Sequence, residues 1–355
     1  MRKKFLQYLT RGTSIRLQIA LMLSSLFIIL SLFYINTGDF NSTDPRPSLK
    51  PIFPKVLSQE SEARISVESG LFVRSFPEFN VALNRFVVDL VLWFKFDPTA
   101  ISLETIEKFS FEKGEILYKS PPNTKLIKGE VLATYEVRIK FSSNLDYKFF
   151  PFGDHKIYLV LTNKFVSPGE MGYLAKGSGF SIADNIYAAG WQYNNRKVEY
   201  GYSVSELDIQ DKEKNILYPR VIFSIGFKKS GIRNVFLIVI PLLLMYFTGL
   251  FALSLDAEKH ARAIMGLALG SMTSLLSYRF VIETLSPKVG YFTAADYLFT
   301  YILVVIFLSF LLNLYAIRRG KLTILTNAIR ILFIITAYLL LVTTIYYLLF
   351  IFHKG

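Results

Sequence analysis

The chain has 355 residues, 52% of them hydrophobic and 15% aromatic, and a formal charge of +13. So apolar a composition excludes an ordinary soluble protein of this size and points to a membrane protein, and the basic excess beside apolar segments follows the positive-inside rule rather than nucleic-acid binding. There is no cysteine, hence no disulfide and no thiolate chemistry, and the three histidines, His155, His260 and His353, lack metal-ligand spacing.

The first sixteen residues, MRKKFLQYLTRGTSIR, carry five basic residues and no acid, and an apolar stretch follows at 17–35. Residues 1–37 therefore read as a cytoplasmic basic segment plus either a cleaved signal peptide or a retained signal anchor. Both alternatives send the next segment outside. Residues 38–62 are rich in Pro, Ser, Asn and Asp and read as a linker.

From 63 to 232 the texture changes to short alternating runs, among them RFVVDLVLWFKF (85–96), VLATYEVRIKF (131–141), KIYLVLTNKF (156–165) and YPRVIFSIGF (218–227). Tyr135, Val137, Ile139 and Phe141 alternate with Glu136, Arg138 and Lys140. This period of two is the signature of half-buried antiparallel strands, and with turn clusters between the runs it predicts a β-sandwich outside the membrane.

Residues 233–355 read as a four-helix transmembrane domain with spans at 235–255, 261–285, 295–317 and 329–352. Each exceeds the roughly 20 residues that cross a hydrocarbon core at about 1.5 Å per residue. Pro241 interrupts the first span, as membrane helices permit. The loops DAEKHAR (256–262) and RRGKLTILTNAIR (318–330) fall inside by the positive-inside rule, the latter being strongly basic, and the SPKVGYFTA loop (286–294) falls outside. The fold class is thus an α+β membrane protein: an extracellular or periplasmic β-sandwich, a four-helix bundle and an extra N-terminal hydrophobic segment.

The second span carries Ser271, Thr273, Ser274, Ser277 and Arg279 among its apolar residues. Lipid tolerates such a row only if it faces other helices or water, so it suggests a polar path across the membrane.

Four motifs in order narrow the architecture. FSSNLDYKFFPFGDHKIYLVL (141–161) resembles the signature loop of the pentameric ligand-gated ion channels, the Cys-loop receptor superfamily, through Leu145, Asp146, Phe150, Pro151 and Phe152. ISVESGLFVRSFPEFNVALNRFVVDLVLWFKFDP (65–98) resembles the family's first two strands, and Trp191 matches a Trp that opens a later strand. YPRVIFSIGFKKSGIRNVFLIVIPLLL (218–244) resembles the last strand, basic hinge and Pro-bearing first helix; ETLSPKVGYFTAADYLF (283–299), with Pro287, Tyr291, Thr293 and Asp296, resembles the end of the pore helix and the loop beyond it. Two departures stand out. Ser143 and Ile157 occupy the family's cysteine positions, as in many bacterial members, and Gly153 replaces the acid after Phe-Pro-Phe, with Asp154 one step later.

The resemblance implies a homopentamer in a bacterial inner membrane, its pore lined by the second helix. Anchored on Pro287, the axis-facing positions would be Arg262, Gly266, Gly270, Thr273, Ser277, Phe280 and Thr284, with Phe280 as an apolar gate. An alternative register would use Ile264, Ala268, Ser271 and Leu275. Arg262 at the inner mouth favours anions, with Glu258 four residues earlier able to pair with it, and Glu283 at the outer end favours cations, so selectivity stays open. Agonists would bind in an aromatic cage of Phe165, Tyr202 and Tyr218 between subunits, capped by the segment 205–215. Coupling would involve Pro151, Phe152, Asp154, Lys229, Arg233 and Pro287. The expected partners are membrane lipid, four further copies of the chain, a small-molecule or proton agonist and inorganic ions, with no cofactor and no nucleic acid. A non-conducting receptor of the same fold is the alternative. An enzyme is not expected, since the chain has no Gly-x-Ser-x-Gly, metal-spaced His set or Gly-rich phosphate loop.

Overall fold

The computed structural model describes residues 13–36, 40, 42–51, 65–207, 211, 214–229, 233–319 and 324–351, with the side chains of 13, 14, 233, 234 and 324 set aside. The chain divides into a β-rich unit, Ser42–Asp146 and Asp154–Ser230, and a helical unit, Met1–Asn41, Tyr147–Gly153 and Gly231–Gly355. The side chain of Arg233, most of the expected linker, part of the 318–330 loop and part of the segment 205–215 lie outside the described residues.

Among the described residues, the β-rich unit contains two sheets. One includes β1 (Ile65–Asn80), β2 (Arg85–Phe96), β4 (Gly114–Lys119), β6 (Glu130–Phe141) and β8 (Met171–Leu174) in the order β4-β6-β2-β1-β8, with β5 (Asn123–Ile127) on β6 and β9 (Phe180–Ile182) on β1. It is mixed: β1 runs antiparallel to β2 but parallel to β8 and β9. The other sheet runs β10 (Trp191–Ser205), β11 (Ile216–Lys229), β7 (His155–Asn163), β3 (Phe109–Phe111). The alternation read from the sequence decides what is buried. Phe86, Val88, Leu90, Leu92, Phe94 and Phe96 of β2 and Tyr135, Val137, Ile139 and Phe141 of β6 share one core with Leu159, Leu161, Phe223 and Ile225 of the other sheet. On the opposite face of this β2–β6 pair, Arg138 grips Asp89 with two hydrogen bonds of 2.6 and 2.9 Å, and that bonding holds the Asp89 carboxyl below its usual range. Gly70 has no room for a side chain: a Cβ there would lie 2.2 Å from the Trp93 ring.

Residues 42–51, expected to be linker, belong to the β-rich unit. Lys50 and Tyr202 exchange backbone hydrogen bonds of 2.9 and 3.0 Å. Arg46 pairs with Glu199 at 2.8 Å, and the buried Arg220 donates to the Ser48 carbonyl and to Glu112. Gly201 lets this segment approach, since a Cβ would meet the Lys50 carbonyl at 2.3 Å. Composition suggested a linker because these ties are made by single polar side chains and main chain, which leave no apolar pattern to read.

Among the described residues, the helical unit contains five helices long and apolar enough to cross a membrane. They are α1 (Thr13–Asn36), α3 (Arg233–Phe251), α4 (Ala257–Leu285), α5 (Ala294–Arg319) and α6 (Ile324–Tyr346); the short α2 (Leu103–Glu107) lies in the β-rich unit. A 3-10 turn, Ala252–Ser254, follows α3, and a π turn, Tyr347–Ile351, extends α6. The stretch expected as a loop before the second span is instead the first two turns of α4. Asp256 caps it by accepting from the Glu258 amide at 3.1 Å, and the helix breaks locally at His260. Hydroxyls then tie the helices where no water competes: Tyr246 and Tyr301 both donate to the Ala337 carbonyl, at 2.7 and 2.8 Å.

Candidate functional site

The helix expected to line a pore presents two faces of different character. Ile264, Ala268, Ser271, Leu275 and Ile282 are buried within the chain. Arg262, Gly266, Gly270, Thr273, Ser277, Phe280 and Thr284 are exposed. Close approach of α3 settles which face turns inward. A Cβ on Gly249 would lie 3.0 Å from Ser271 Oγ, and Ser309 of α5 donates to the Gly249 carbonyl at 3.1 Å. Small residues allow such contacts between membrane helices. The other face of α4 keeps a row of glycines and hydroxyls that stays exposed among the described residues, and beyond it Phe280, 72% exposed.

Charges at the two ends of α4 differ from expectation. Glu258 and Arg262 form no ion pair within 4 Å, because the non-helical backbone at His260 lies between them and spoils the four-residue spacing. Glu283, at the C-terminal end, does have a partner: Arg279 Nε lies 3.1 Å from its Oε1, while the Arg279 Nη1 binds Asp296 of α5. Asp296 also accepts from the Thr293 amide and hydroxyl, both at 2.8 Å, which closes the first turn of α5. Arg279, Glu283, Asp296 and the buried Pro287 line an open cavity of about 810 Å³.

The signature-like loop is built into this corner. Residues 147–153 group with the helices, and their flanks, Asp146 and Asp154, with the strands. The Lys148 and Phe150 carbonyls accept from the amides of Ala294 and Ala295 at 2.8 and 3.0 Å, and the Tyr147 amide donates to the Tyr291 hydroxyl at 3.0 Å. The loop thus satisfies N–H groups that every helix leaves open at its start. Pro151 is buried, and Phe152 packs with the helices, its ring 5.5 Å from that of Phe33 in α1.

Within the β-rich unit both ends of the loop are held by Asp44. Its carboxylate accepts from the Asp146 amide at 2.7 Å and the Lys156 amide at 2.6 Å, and lies 3.1 Å from Nδ1 of the buried His155. Asp154, buried, accepts from the Lys229 amide at 2.9 Å and so fixes the end of β11. Burial pushes the Lys229 ammonium down to about 8, against the pull of Asp154.

Tyr202 and Tyr218 sit on the paired strands β10 and β11, where Tyr218 faces Ser203, and Phe165 follows the end of β7. Tyr218 lines a cavity of about 870 Å³ together with Arg85, Lys113, Lys140, Lys164 and Glu112, but Phe165 and Tyr202 do not line it. Phe165 is 71% exposed, with the Lys108 ammonium 5.7 Å above its ring. Glu112 is occupied by Arg220, and Lys140 and Lys164 have no ion-pair partner among the described residues. Glu115 also lines the cavity, opposite Lys140 in the strand register, and Arg85 lies 3.7 Å from Glu78, so four basic residues face two acidic ones there. No protein-family model matches the chain, and no match is found among curated proteins.

Proposed function

We propose that this chain is one subunit of a homopentameric ligand-gated ion channel, with a β-sandwich outside the membrane and a pore lined by α4. One observation carries the reading. Of the five apolar helices, α4 is the least apolar, and its polar face is turned away from the rest of the chain. Such a face in a membrane needs protein or water to meet it. Copies arranged around an axis supply both: neighbouring subunits close the ring, and a water-filled path runs along Gly266, Gly270, Thr273 and Ser277. Phe280 then forms the apolar constriction that gates by dewetting. The buried side of α4 holds Ile264, Ala268, Ser271 and Leu275, which favours the register anchored on Pro287.

In this reading the basic loop between α5 and α6 is cytoplasmic and the β-rich unit lies outside a bacterial inner membrane. The agonist is a small molecule, and the cavity beside Tyr218, where Arg85, Lys113, Lys140 and Lys164 outnumber Glu112 and Glu115, favours one with negative charge. Its binding opens the pore only so far as it prefers the open state. Pro151 and Phe152 carry the signal because their loop is continuous with β strands at both ends while its main chain caps α5. Asp154, Arg233 and Pro287 complete the proposed coupling set.

The test is single-channel recording of the purified protein in planar bilayers under asymmetric salt, from acid to neutral pH and with organic anions added. Unitary currents support the channel, and their reversal potential gives the ion. Silence under all conditions, joined by silence of Phe280→Ala, favours a non-conducting receptor.

A further inference from the structure

The N-terminal helix is fitted to the bundle from Gln18 to Asn36. Gln18, Ser25, Ile29 and Phe33 are buried, while Leu23, Phe27, Leu30 and Tyr34 on the other side are 43–80% exposed. Spacings of seven, four and four residues place the buried set on one helical face. At one end the Gln18 Oε1 accepts from Ser254 Oγ, in the 3-10 turn that precedes α4. At the other end Asn36 Nδ2 donates to the Leu349 carbonyl at 3.2 Å, and Phe33 rests 5.5 Å from Phe152 of the signature-like loop. Between these ends α1 packs along α6.

A secretory signal needs only about 7–15 apolar residues and no specific partner. Here 24 residues are helical, about 36 Å at 1.5 Å each, enough to span the hydrocarbon core. A glutamine amid apolar residues is costly in lipid unless it is paired. Its partner is a serine 236 positions away. Arg330 of α6 holds the same turn from another side, its Nη2 donating to the Leu255 carbonyl at 3.1 Å and the Ala252 carbonyl at 3.4 Å.

We propose that α1 stays in the mature protein as a fifth membrane helix of each subunit and acts as a strut between the Phe152 loop and the turn before α4. Gln18 holds that turn and so restrains the end of α4 that carries Arg262. The restraint on gating rests on reading α4 as the pore helix; the docking of α1 does not.

Three measurements test it. Intact mass of the purified protein, expressed as residues 1–355, should match the 40.7 kDa of those residues; a mass short of the α1 residues overturns retention. The absence of cysteine gives a clean background for crosslinking, so Gln18→Cys with Ser254→Cys should yield a disulfide-linked peptide pair on oxidation, and Leu23→Cys with Ser254→Cys should not. No link in the first pair, or equal links in both, overturns the docking. In recordings, Gln18→Leu and Ser254→Ala should each change open probability several-fold, with the double variant no further changed than either single one, while the lipid-facing Leu23→Ala behaves as wild type. Wild-type gating in a well-expressed Gln18→Leu channel overturns the restraint. Silence of both the wild type and Phe280→Ala under all conditions overturns the channel reading and the restraint together, and the mass and crosslink still decide the docking.

Discussion

Arg279 of α4 and Asp296 of α5 form an ion pair at the same carboxylate that closes the first turn of α5. Removing one partner of a fully buried pair costs about 3–5 kcal/mol. Because 32% of the Arg279 side chain is exposed, Asp296→Asn or Arg279→Gln should each cost about 2 kcal/mol. The double variant should cost less than the sum of the two, as coupled neighbours do. Thermal unfolding in detergent measures this, and strictly additive losses would show that the pair is not coupled.

Phe280 makes little contact within its own chain, so Phe280→Ala should change stability by no more than about 0.5 kcal/mol. Its effect should fall on conduction, as a raised open probability or a leak. Leu275→Ala is the contrasting variant. That side chain is fully buried against the other helices, and its loss should cost about 2–5 kcal/mol. Unchanged currents in well-expressed Phe280→Ala would remove this ring from the gate.

Lys229 gives a pH dependence with a defined sign. Its ammonium titrates near 8 in the folded chain and at the ordinary 10.5 when unfolded. Between those values the unfolded state binds more protons, so stability contributed by this residue rises as pH climbs through the window. Below it both states are charged and the cost of burying the cation is fully present. Measured against Lys229→Met, the unfolding midpoint of the wild type should therefore improve from about pH 8 towards pH 10. A constant difference would show that Lys229 is not desolvated in the fold.

Asp44→Ala removes the acceptor shared by the Asp146 and Lys156 amides. The expected loss is about 2–4 kcal/mol, since backbone donors bound by a carboxylate are left to weaker partners. Asp44→Asn should lose less, because its Oδ1 still accepts one of the two bonds. Chemical denaturation followed by tryptophan fluorescence is a suitable readout, with Trp191 5.3 Å from His155. Equal stability of wild type and Asp44→Ala would contradict this account.

The strands were readable because burial on one face imposes a period of two. The runs read at 85–96 and 131–141 became β2 and β6 within a residue, and their alternate side chains form the core. The membrane helices were readable from length and hydropathy alone. The facing of α4 was not. Ser271 and Thr273 are two residues apart and chemically alike, and only the approach of Gly249 shows that the first is packed and the second open. The break at His260, which separates Glu258 from Arg262, leaves no mark in composition either. Gln18 did carry a signal, as a polar residue within an apolar stretch, but its meaning depended on Ser254 lying opposite. Asp44 carried none, because one aspartate among Ser, Thr and Pro looks like any exposed turn.

Asp44 also bears on where and how this protein is made. Ser143 and Ile157, the positions that the resemblance aligns with a cysteine pair, leave the loop between them without a sulfur bridge, and a carboxylate from a segment about a hundred residues earlier holds its ends instead. Such a closure forms in the same step as folding. It needs neither an oxidising compartment nor an isomerase to correct wrong pairings, and thiol reductants find nothing in it to cleave. The chain can therefore close this loop equally well in reducing and oxidising surroundings, and a shuffled disulfide is a misfolded form it never has to escape.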